Sequence, residues 1–443
     1  MKPMLSGMAD TGSAWLDGQR LSTLLVLLYL LSLCLSLIVG YSFSYRSSHE
    51  MLDYDEWEYW QLSTSLLNGA FDDPGRRTLG YPAILAGLRL LSDDFHFVQP
   101  AVTALAATAP PLLAFAVLRL GGGRLAAVLA GVALAVWPPH LFLAASFYSE
   151  ALALPVLLLL LAYLPKGERA RNASIAVWLM CGLLLGLLAH IRTMYQLFLP
   201  VVLVILLFER VPWKRALQGW AFVIAGFLIA VLPWSAYVSE KIGNPIFLTA
   251  NGGETLAGGL TPRLFDRETS ELMQLENRTA WTGPGKWLPM SETGYLSAKE
   301  MELPYGEQDR LLRERAVHWV LANPGDAAHL TVRKLAYQWG FHPWSRQGTM
   351  EIVFGNIPII ALLFLTLASL VLQPASRALG ARFYLMPLFV TAIAVISWGS
   401  WRFRHPADAA MLAIVAVALT AWLGQMGSVR KRVNGRQGVL GDA

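Results

Sequence analysis

The chain has 443 residues, of which 55% are hydrophobic and only 15% are charged, with a net charge of +5. This composition excludes an ordinary soluble globular protein, whose surface needs a larger share of charged residues. Nucleic-acid binding is not expected either, because the basic residues are scattered through short connecting segments instead of lying on one domain. The two cysteines, Cys34 and Cys181, lie in apolar segments, so neither a disulfide framework nor a thiolate metal site is expected.

Long apolar segments recur along the chain, and a helix needs about 20 residues to cross the hydrocarbon core of a bilayer. We predict helices because open strands would leave backbone groups unpaired in lipid. The first span is predicted from Leu21 to Gly40, which is too long for the core of a signal peptide. Further spans are predicted at 98–118, 125–145, 149–164, 174–190, 193–208, 219–238, 352–372, 383–400 and 409–424. The predicted fold class is an all-α polytopic membrane protein with about ten transmembrane helices.

Alternation of the connecting segments between the two membrane sides predicts the orientation. One set carries Arg119, Arg124, Lys166, Arg169, Arg171, Arg210, Lys214, Arg215, Arg377, Arg382, Arg430, Lys431, Arg432 and Arg436. By the positive-inside rule this set is cytoplasmic. We therefore predict a multi-pass protein of the bacterial inner membrane, with both termini in the cytoplasm and the functional surface on the periplasmic side.

The opposite set holds most of the acidic residues and two long segments. One is a first external loop at about 41–100, and the other, at 239–350, is rich in Gly, Pro, Trp and charge. Within the second, helices are predicted at Gln308–Ala322 and Asp326–Trp339, on the two sides of an Asn-Pro-Gly break. The predicted organisation is a transmembrane core at 1–238, a small extracytoplasmic domain at 239–350, and C-terminal helices with a basic tail at 351–443.

Four carboxylates follow the first span within the segment Asp53–Tyr59. If a helix begins near Asp55, then Asp55 and Glu56 lie in its first turn, where the helix dipole stabilises negative charge. Apolar residues continue this helix at helical spacing, which predicts an amphipathic helix on the membrane surface. A solvated and well-capped interfacial helix would explain the charges equally well.

A second interfacial helix is predicted at Ala83–Leu91 in the same loop, and Gly80 and Pro82 are predicted to form the turn before it. Such a turn between two helices needs no functional explanation. The first external loop is thus expected to contain two helices that lie at the membrane surface.

Three arginines are predicted at the external ends of spans. Arg192 lies in a very short turn, and Arg402 and Arg404 lie in the last external turn. Charges at such depth are costly and usually paired or functional, and arginine can bind two phosphate oxygens at once. Snorkelling to the interface is the alternative explanation. Glu150, at the outer end of the fourth span, could orient an acceptor, help to bind a divalent metal, or stabilise its helix N-terminus.

Three histidines, His140, His190 and His405, are predicted near the same outer face. Their spacing matches no zinc motif. No cofactor is predicted with certainty, and a divalent metal stays an open possibility.

In chain order, these motifs resemble the GT-C superfamily of glycosyltransferases that use lipid-phosphate sugars, in the branch of the protein O-mannosyltransferases and the bacterial aminoarabinose transferase. The resemblance extends over most of the chain. The matching motifs are Asp55-Glu56, Leu67-Asn68-Gly69, Gly80-Tyr81-Pro82, Ser149-Glu150, Leu188-Ala189-His190-Ile191-Arg192 and Arg402-Phe403-Arg404-His405-Pro406.

The resemblance implies transfer of a sugar from a polyprenyl-phosphate-linked donor to an envelope acceptor, which could be a lipid, a glycan or a protein, with expected inversion. It implies Asp55 as the catalytic base, with Glu56 beside it, because a carboxylate can accept the proton of an attacking hydroxyl. The acidic run means that Asp53 or Glu58 could share this role. The phosphate leaving group has less need of a second carboxylic acid.

The resemblance also suggests further substrate contacts. Arg192, with Arg402 or Arg404, is expected at the lipid phosphate, and Glu150 and Tyr81 are expected at the substrate. The glycine-rich segment 251–259 resembles the segment that closes over the active site in this family, and we assign it a gating role as a hypothesis.

Two other functions compete with this prediction. A transporter or flippase of lipid-linked glycans would be expected to show inverted repeats and ionisable residues near mid-membrane, whereas here they cluster at one outer face. A polysaccharide polymerase or ligase would be expected to rely on arginine and histidine instead of an early Asp-Glu pair.

Overall fold

The computed structural model describes residues 20–52, 54–71, 75–265, 287–341 and 356–441. Within these ranges the regular structure is helical, and no strand is present. This confirms the all-helical prediction for the part of the chain that the structure describes.

The first half of the chain forms α1 (Leu21–Val39), α2 (Tyr54–Leu67), α3 (Gly80–Leu91), α4 (Phe95–Ala106), α5 (Ala109–Arg119), α6 (Arg124–Ala135), α7 (Pro138–Ala144), α8 (Glu150–Tyr163), α9 (Glu168–Arg171), α10 (Ile175–Ile191), α11 (Phe198–Phe208) and α12 (Trp213–Ile242). The second half forms α13 (Gly252–Gly259), α14 (Tyr305–Ala322), α15 (Pro324–Gln338), α16 (Ile357–Leu372), α17 (Ala381–Ile396) and α18 (His405–Gly441). Short 3-10 or π turns extend several of these helices; one π turn, Gly40–Ser44, prolongs α1.

Among the described residues, four helical segments are long and apolar enough to cross a membrane, and they are Leu21–Ser44, Phe95–Arg119, Trp213–Ile242 and His405–Met426. A fifth candidate is the pair α6 and α7, which is bent by 63°. Two prolines at the start of α7 explain the bend, because proline at that position lacks the amide that would continue the previous helix. The other five predicted spans coincide with shorter apolar helices, so the count of ten stays a prediction.

The end of the bundle that is predicted to face the cytoplasm contains a buried ion pair. Arg382, the second residue of α17, pairs with Glu209 at the end of α11, and both side chains are almost fully buried. Arg382 also donates to the carbonyl oxygens of Leu161 and Leu164 at the end of α8. The sequence predicted Arg382 only as a loop charge, but it connects three helices in the core.

The segments that are predicted to be external pack onto the opposite end of the bundle. Tyr59 and Trp60 on α2 are buried, so this helix, which is predicted to lie on the membrane surface, also packs against the protein. At the end of α3, Leu90 and Leu91 are 78% and 75% exposed, as expected for a helix at a membrane interface. In the segment 239–350, α14 and α15 begin within a few residues of their predicted starts.

The turn predicted at Gly80 and Pro82 is wrong in detail, because both residues lie in the first turn of α3. A side chain at Gly80 would place its Cβ 2.6 Å from the backbone carbonyl of His190 on α10. Glycine is therefore needed here for close helix approach. Thr78, just before it, donates a hydrogen bond to the same carbonyl oxygen.

We expect Gly80→Ala to lower the free energy of unfolding by about 1–3 kcal/mol, because the backbone of α10 must move to accommodate the added methyl group. Thermal unfolding in detergent would measure this. Gly87→Ala on the same helix is the matched control, since open space surrounds Gly87 and alanine favours a helix. Equal losses in the two variants would contradict the packing explanation.

Candidate active site

Four helix ends bring four of the predicted site residues together at the end of the bundle that is predicted to face the periplasm. Asp55 lies in the first turn of α2, and Glu150 is the first residue of α8. Arg192 directly follows α10, and Arg402 lies three residues before α18. The two carboxylates stand at helix N-termini, where the helix dipole stabilises negative charge. Residues far apart in sequence thus form one charged cluster.

Asp55 pairs with two arginines. Its Oδ1 accepts a hydrogen bond of 2.5 Å from Nη2 of Arg77, and its Oδ2 accepts bonds of 3.2 Å from Nη1 and Nη2 of Arg402. Burial alone would raise the pKa of Asp55, but the guanidinium groups of Arg77, Arg402 and Arg192 outweigh it and hold that pKa below its usual range. Asp55 is therefore ionised at neutral pH.

Glu150 pairs with Arg192 and with Arg402, the arginine that it shares with Asp55. Its Oε2 lies 2.9 Å from Nη1 of Arg192, and its Oε1 lies 3.4 Å from Nε of Arg402. The Glu150 side chain is 3% exposed, whereas that of Asp55 is 25% exposed. Asp55 thus lies at the accessible edge of the cluster and Glu150 at its base.

Aromatic rings cover the guanidinium groups of Arg402 and Arg192. Arg402 lies over the ring of Tyr148 at 4.0 Å, and Arg192 lies over the ring of Phe403 at 4.5 Å. Cation–π contacts of this kind stabilise a guanidinium group and fix its plane. Nε of Arg192 is buried and has no hydrogen-bond partner among the described residues. This N–H donor can bind an anion that enters the cluster.

Glu56 and Tyr81 have supporting positions. Glu56 is buried, and its Oε1 accepts a hydrogen bond of 2.8 Å from the amide of Phe147, which fastens α2 to the segment before α8. Tyr81 is fully buried with its ring against Tyr59 at 4.7 Å, and its hydroxyl has no hydrogen-bond partner among the described residues. Neither side chain is at the accessible edge that Asp55 occupies.

Arg404 lies apart from the cluster. Its Nε donates a hydrogen bond of 2.9 Å to Oδ1 of Asp408, and its Nη1 donates to the backbone oxygen of Gln338. Trp137 donates to the other carboxylate oxygen of Asp408 at 2.9 Å. Of the two arginines in the last external turn, only Arg402 contacts Asp55 and Glu150 among the residues that the structure describes.

The three histidines do not converge. His140 and His405 form a buried pair, with Nδ1 of one 3.1 Å from Nε2 of the other. His190 instead contacts the backbone oxygen of Ala230. No group of three or more His, Cys, Asp or Glu side chains that could hold a metal ion occurs in the described ranges.

Sequence reasoning missed the roles of Arg76 and Arg77. Arg77 contacts both Asp55 and Glu58, and Arg76 pairs with Glu58 at 3.1 Å and with Glu254 at 3.0 Å. The available signal was a pair of adjacent basic residues in an external loop that is otherwise acidic. Such a pair between carboxylate-rich segments favours ion pairing across the loop.

The glycine-rich segment is helical, as α13, and it packs tightly. A Cβ at Gly253 would lie 1.9 Å from the backbone oxygen of Asp309 on α14, and one at Gly259 would lie 2.2 Å from that of Ser397. Its Glu254 accepts hydrogen bonds from Arg76 and from the hydroxyl of Tyr305. These glycines therefore allow close backbone contact, and the gating role stays a hypothesis.

Lys334 is buried on α15. Its Nζ donates to the backbone oxygens of Ser397 at 2.8 Å and Val395 at 3.3 Å, at the end of α17. Burial lowers its pKa to about 8. Lys334 thus holds the start of the turn that carries Arg402.

The fold is similar to that of solved structures of an archaeal oligosaccharyltransferase, which agrees, at the level of fold, with the resemblance seen in the sequence. The archaeal oligosaccharyltransferase AglB from Archaeoglobus fulgidus, in complex with an inhibitory peptide and a dolichol-phosphate, matches with a TM-score of 0.55 at 14% identity, over 95% of this chain and 52% of that chain. The oligosaccharyltransferase of Archaeoglobus fulgidus in the apo form matches with a TM-score of 0.56, at the same identity and coverage.

ArnT from Cupriavidus metallidurans, bound to undecaprenyl phosphate, gives a TM-score of 0.41 at 13% identity, over 93% of this chain and 77% of that chain. No protein-family model matches the chain, and no curated protein matches it in sequence. The chain spans about half the length of the oligosaccharyltransferases that it resembles. At these identities the likeness concerns the fold alone.

Proposed function

We propose that this protein is a membrane glycosyltransferase that transfers a sugar from a polyprenyl-phosphate-linked donor to a cell-envelope acceptor on the periplasmic side. The observation that carries the proposal is Arg402, which lies between the accessible Asp55 and the buried Glu150 in a chain with the GT-C fold. A carboxylate and a guanidinium side by side supply a base and an anion-binding group.

In the proposed reaction, Asp55, Arg402 and Arg192 each have a chemical role. The acceptor oxygen attacks the anomeric carbon, the bond from that carbon to the phosphate oxygen breaks, and the polyprenyl phosphate leaves with the electron pair. Asp55 accepts the proton of the acceptor. Arg402 and Arg192 bind the phosphate, whose negative charge increases as the bond breaks. Attack on the face opposite the phosphate inverts the anomeric carbon.

The described residues do not fit a divalent metal site. The carboxylates of Asp55 and Glu150 each pair with arginines, and no group of three or more His, Cys, Asp or Glu side chains that could hold a metal ion occurs in the described ranges. Hard cations prefer several carboxylate or carbonyl oxygens. We derive no step through a metal ion.

The membrane location follows from the donor. A polyprenyl chain is insoluble in water, and apolar helices around the cluster offer it a surface at the depth of the bilayer. The distribution of basic residues supports a periplasmic cluster in a bacterial inner membrane, with both termini in the cytoplasm. The acceptor class stays open among lipid, glycan and protein.

The proposal is tested by mass spectrometry of envelope lipids, glycans and glycoproteins from cells that lack the protein. We expect one species to lose a sugar in the deletion, to regain it with the wild-type chain, and not to regain it with Asp55→Asn, because the base is then absent. Asp93→Asn, a change of the same kind at an exposed carboxylate that pairs with Arg89, is the control and should restore the sugar.

Protein abundance must be equal in all strains. A deletion that only moves lipid-linked glycan between the leaflets would contradict the proposal and favour a transporter. Full restoration by Asp55→Asn would remove Asp55 from the role of base.

A further inference from the structure

We propose that Arg402 exchanges partners when the donor binds: it stays anchored to Glu150 and replaces the Asp55 carboxylate with the donor phosphate, which releases the base. This inference rests on the proposed function and adds an order of events to it. Asp55 accepts hydrogen bonds from the two terminal N–H groups of Arg402 that a donor phosphate would need, so the base becomes available only after the donor is bound.

The anchored side of Arg402 is its Nε edge and its face. Nε lies 3.4 Å from the Oε1 of Glu150, an ion-pair contact, and the Glu150 side chain is almost fully buried and also pairs with Arg192. Tyr148 covers the face of the guanidinium at 4.0 Å. Loss of these contacts would leave a carboxylate buried beside fewer cations, which is costly. Arg402 therefore keeps its position while other partners change.

The exchangeable side of Arg402 is its pair of terminal nitrogens. Both lie 3.2 Å from the same oxygen of Asp55, whose side chain is 25% exposed, so this is the side that a ligand can reach. Asp55 also has a contact of 2.5 Å with Arg77 and keeps it when the phosphate replaces Asp55 at Arg402. A phosphate offers two oxygens to the two nitrogens, a better geometric match than one carboxylate oxygen.

The exchange also changes the basicity of Asp55. In the structure, Arg77, Arg402 and Arg192 hold its pKa below the usual range, and a carboxylate with a low pKa is a poor proton acceptor. A bound phosphate neutralises much of the positive charge of Arg402 and Arg192. The pKa of Asp55 then rises toward its ordinary value, and the carboxylate can accept the proton of the acceptor.

The test measures binding and needs no turnover. The dissociation constant of undecaprenyl phosphate is measured for the full-length protein in detergent. Asp55→Asn should tighten binding about fivefold, because the competing ion pair is removed. Glu58→Gln removes a neighbouring negative charge that pairs with Arg76 and Arg77, and should change the constant by less than about twofold. In an Arg402→Gln background, Asp55→Asn should have no effect.

The exchange would be overturned if Asp55→Asn bound undecaprenyl phosphate as weakly as the wild type or more weakly. It would also be overturned if Glu58→Gln increased the affinity as much as Asp55→Asn. If Asp55→Asn does not fold, as judged by thermal unfolding, Asp55→Ser makes the same comparison. Inorganic phosphate serves as a second probe. If Asp55→Asn tightens the binding of inorganic phosphate but not that of undecaprenyl phosphate, the assignment of the site to a lipid-linked phosphate is overturned.

The two proposals fail separately. Tighter binding of undecaprenyl phosphate by Asp55→Asn, with no sugar missing from cells that lack the protein, supports the exchange and contradicts the transferase function. A missing sugar that Asp55→Asn does not restore, together with weaker binding in that variant, supports the function and overturns the exchange.

Discussion

Arg402→Lys is expected to lower kcat/KM for the lipid-linked donor by about 100-fold, a loss typical of removing one hydrogen-bond donor to a developing negative charge. Lysine keeps the positive charge but cannot contact Glu150 through one edge and bind two phosphate oxygens through the other. Donor kinetics on purified protein, with thermal unfolding in parallel, would measure the effect.

Arg404→Lys is the matched control, two residues away in the same turn. Arg404 pairs with Asp408 and the backbone oxygen of Gln338, outside the cluster. Arg404→Lys should therefore lower thermal stability and change donor kcat/KM little. Arg402→Lys should show the reverse pattern, with its main effect on kcat/KM. Equal losses of kcat/KM in the two variants would remove the special role of Arg402 at the phosphate.

Arg382→Met is expected to destabilise the protein by about 3–5 kcal/mol, the cost of leaving one member of a buried ion pair alone. Glu209 would remain in the core without its main cation, and the carbonyl oxygens of Leu161 and Leu164 would lose a donor. Equilibrium unfolding in mild detergent with added denaturant would measure the difference.

The double variant Arg382→Met/Glu209→Met supplies the control. With both charges gone, an apolar pair of similar volume should recover most of the lost stability, because buried ion pairs contribute little more than such a pair. A double variant as unstable as the single one would mean that the cost comes from packing instead of charge. Donor binding at the opposite end of the bundle should change little in either case.

Hydrophobic patterning predicted most of the long helices. Apolar runs predicted α1, α4 with α5, and α12, and the Asn-Pro-Gly break separated α14 from α15 within a few residues. The number of membrane crossings stays a prediction, because five of the helices at predicted spans are shorter than a typical span, namely α8, α10, α11, α16 and α17. The ends of these helices are set by turns. The positions of the turns depend on tertiary packing, which cannot be read from local composition.

The candidate site was only partly predictable. Order and placement of short motifs singled out Asp55, Glu150, Arg192 and Arg402, which the structure brings into one cluster. Arg404 has the same residue type and nearly the same position in sequence, yet it faces Asp408. Sequence could not separate the two arginines, because the direction of each side chain depends on how α17 and α18 pack.

The sequence by itself determined an all-helical membrane protein with a charged outer face, because lipid demands apolar helices and makes unpaired charge expensive. Only the tertiary structure decided which charges pair. Arg77 and Arg402 take opposite oxygens of Asp55, and Glu150 anchors Arg402 from the buried side. These contacts join residues up to 347 positions apart, and a pairing over that separation is set by helix packing.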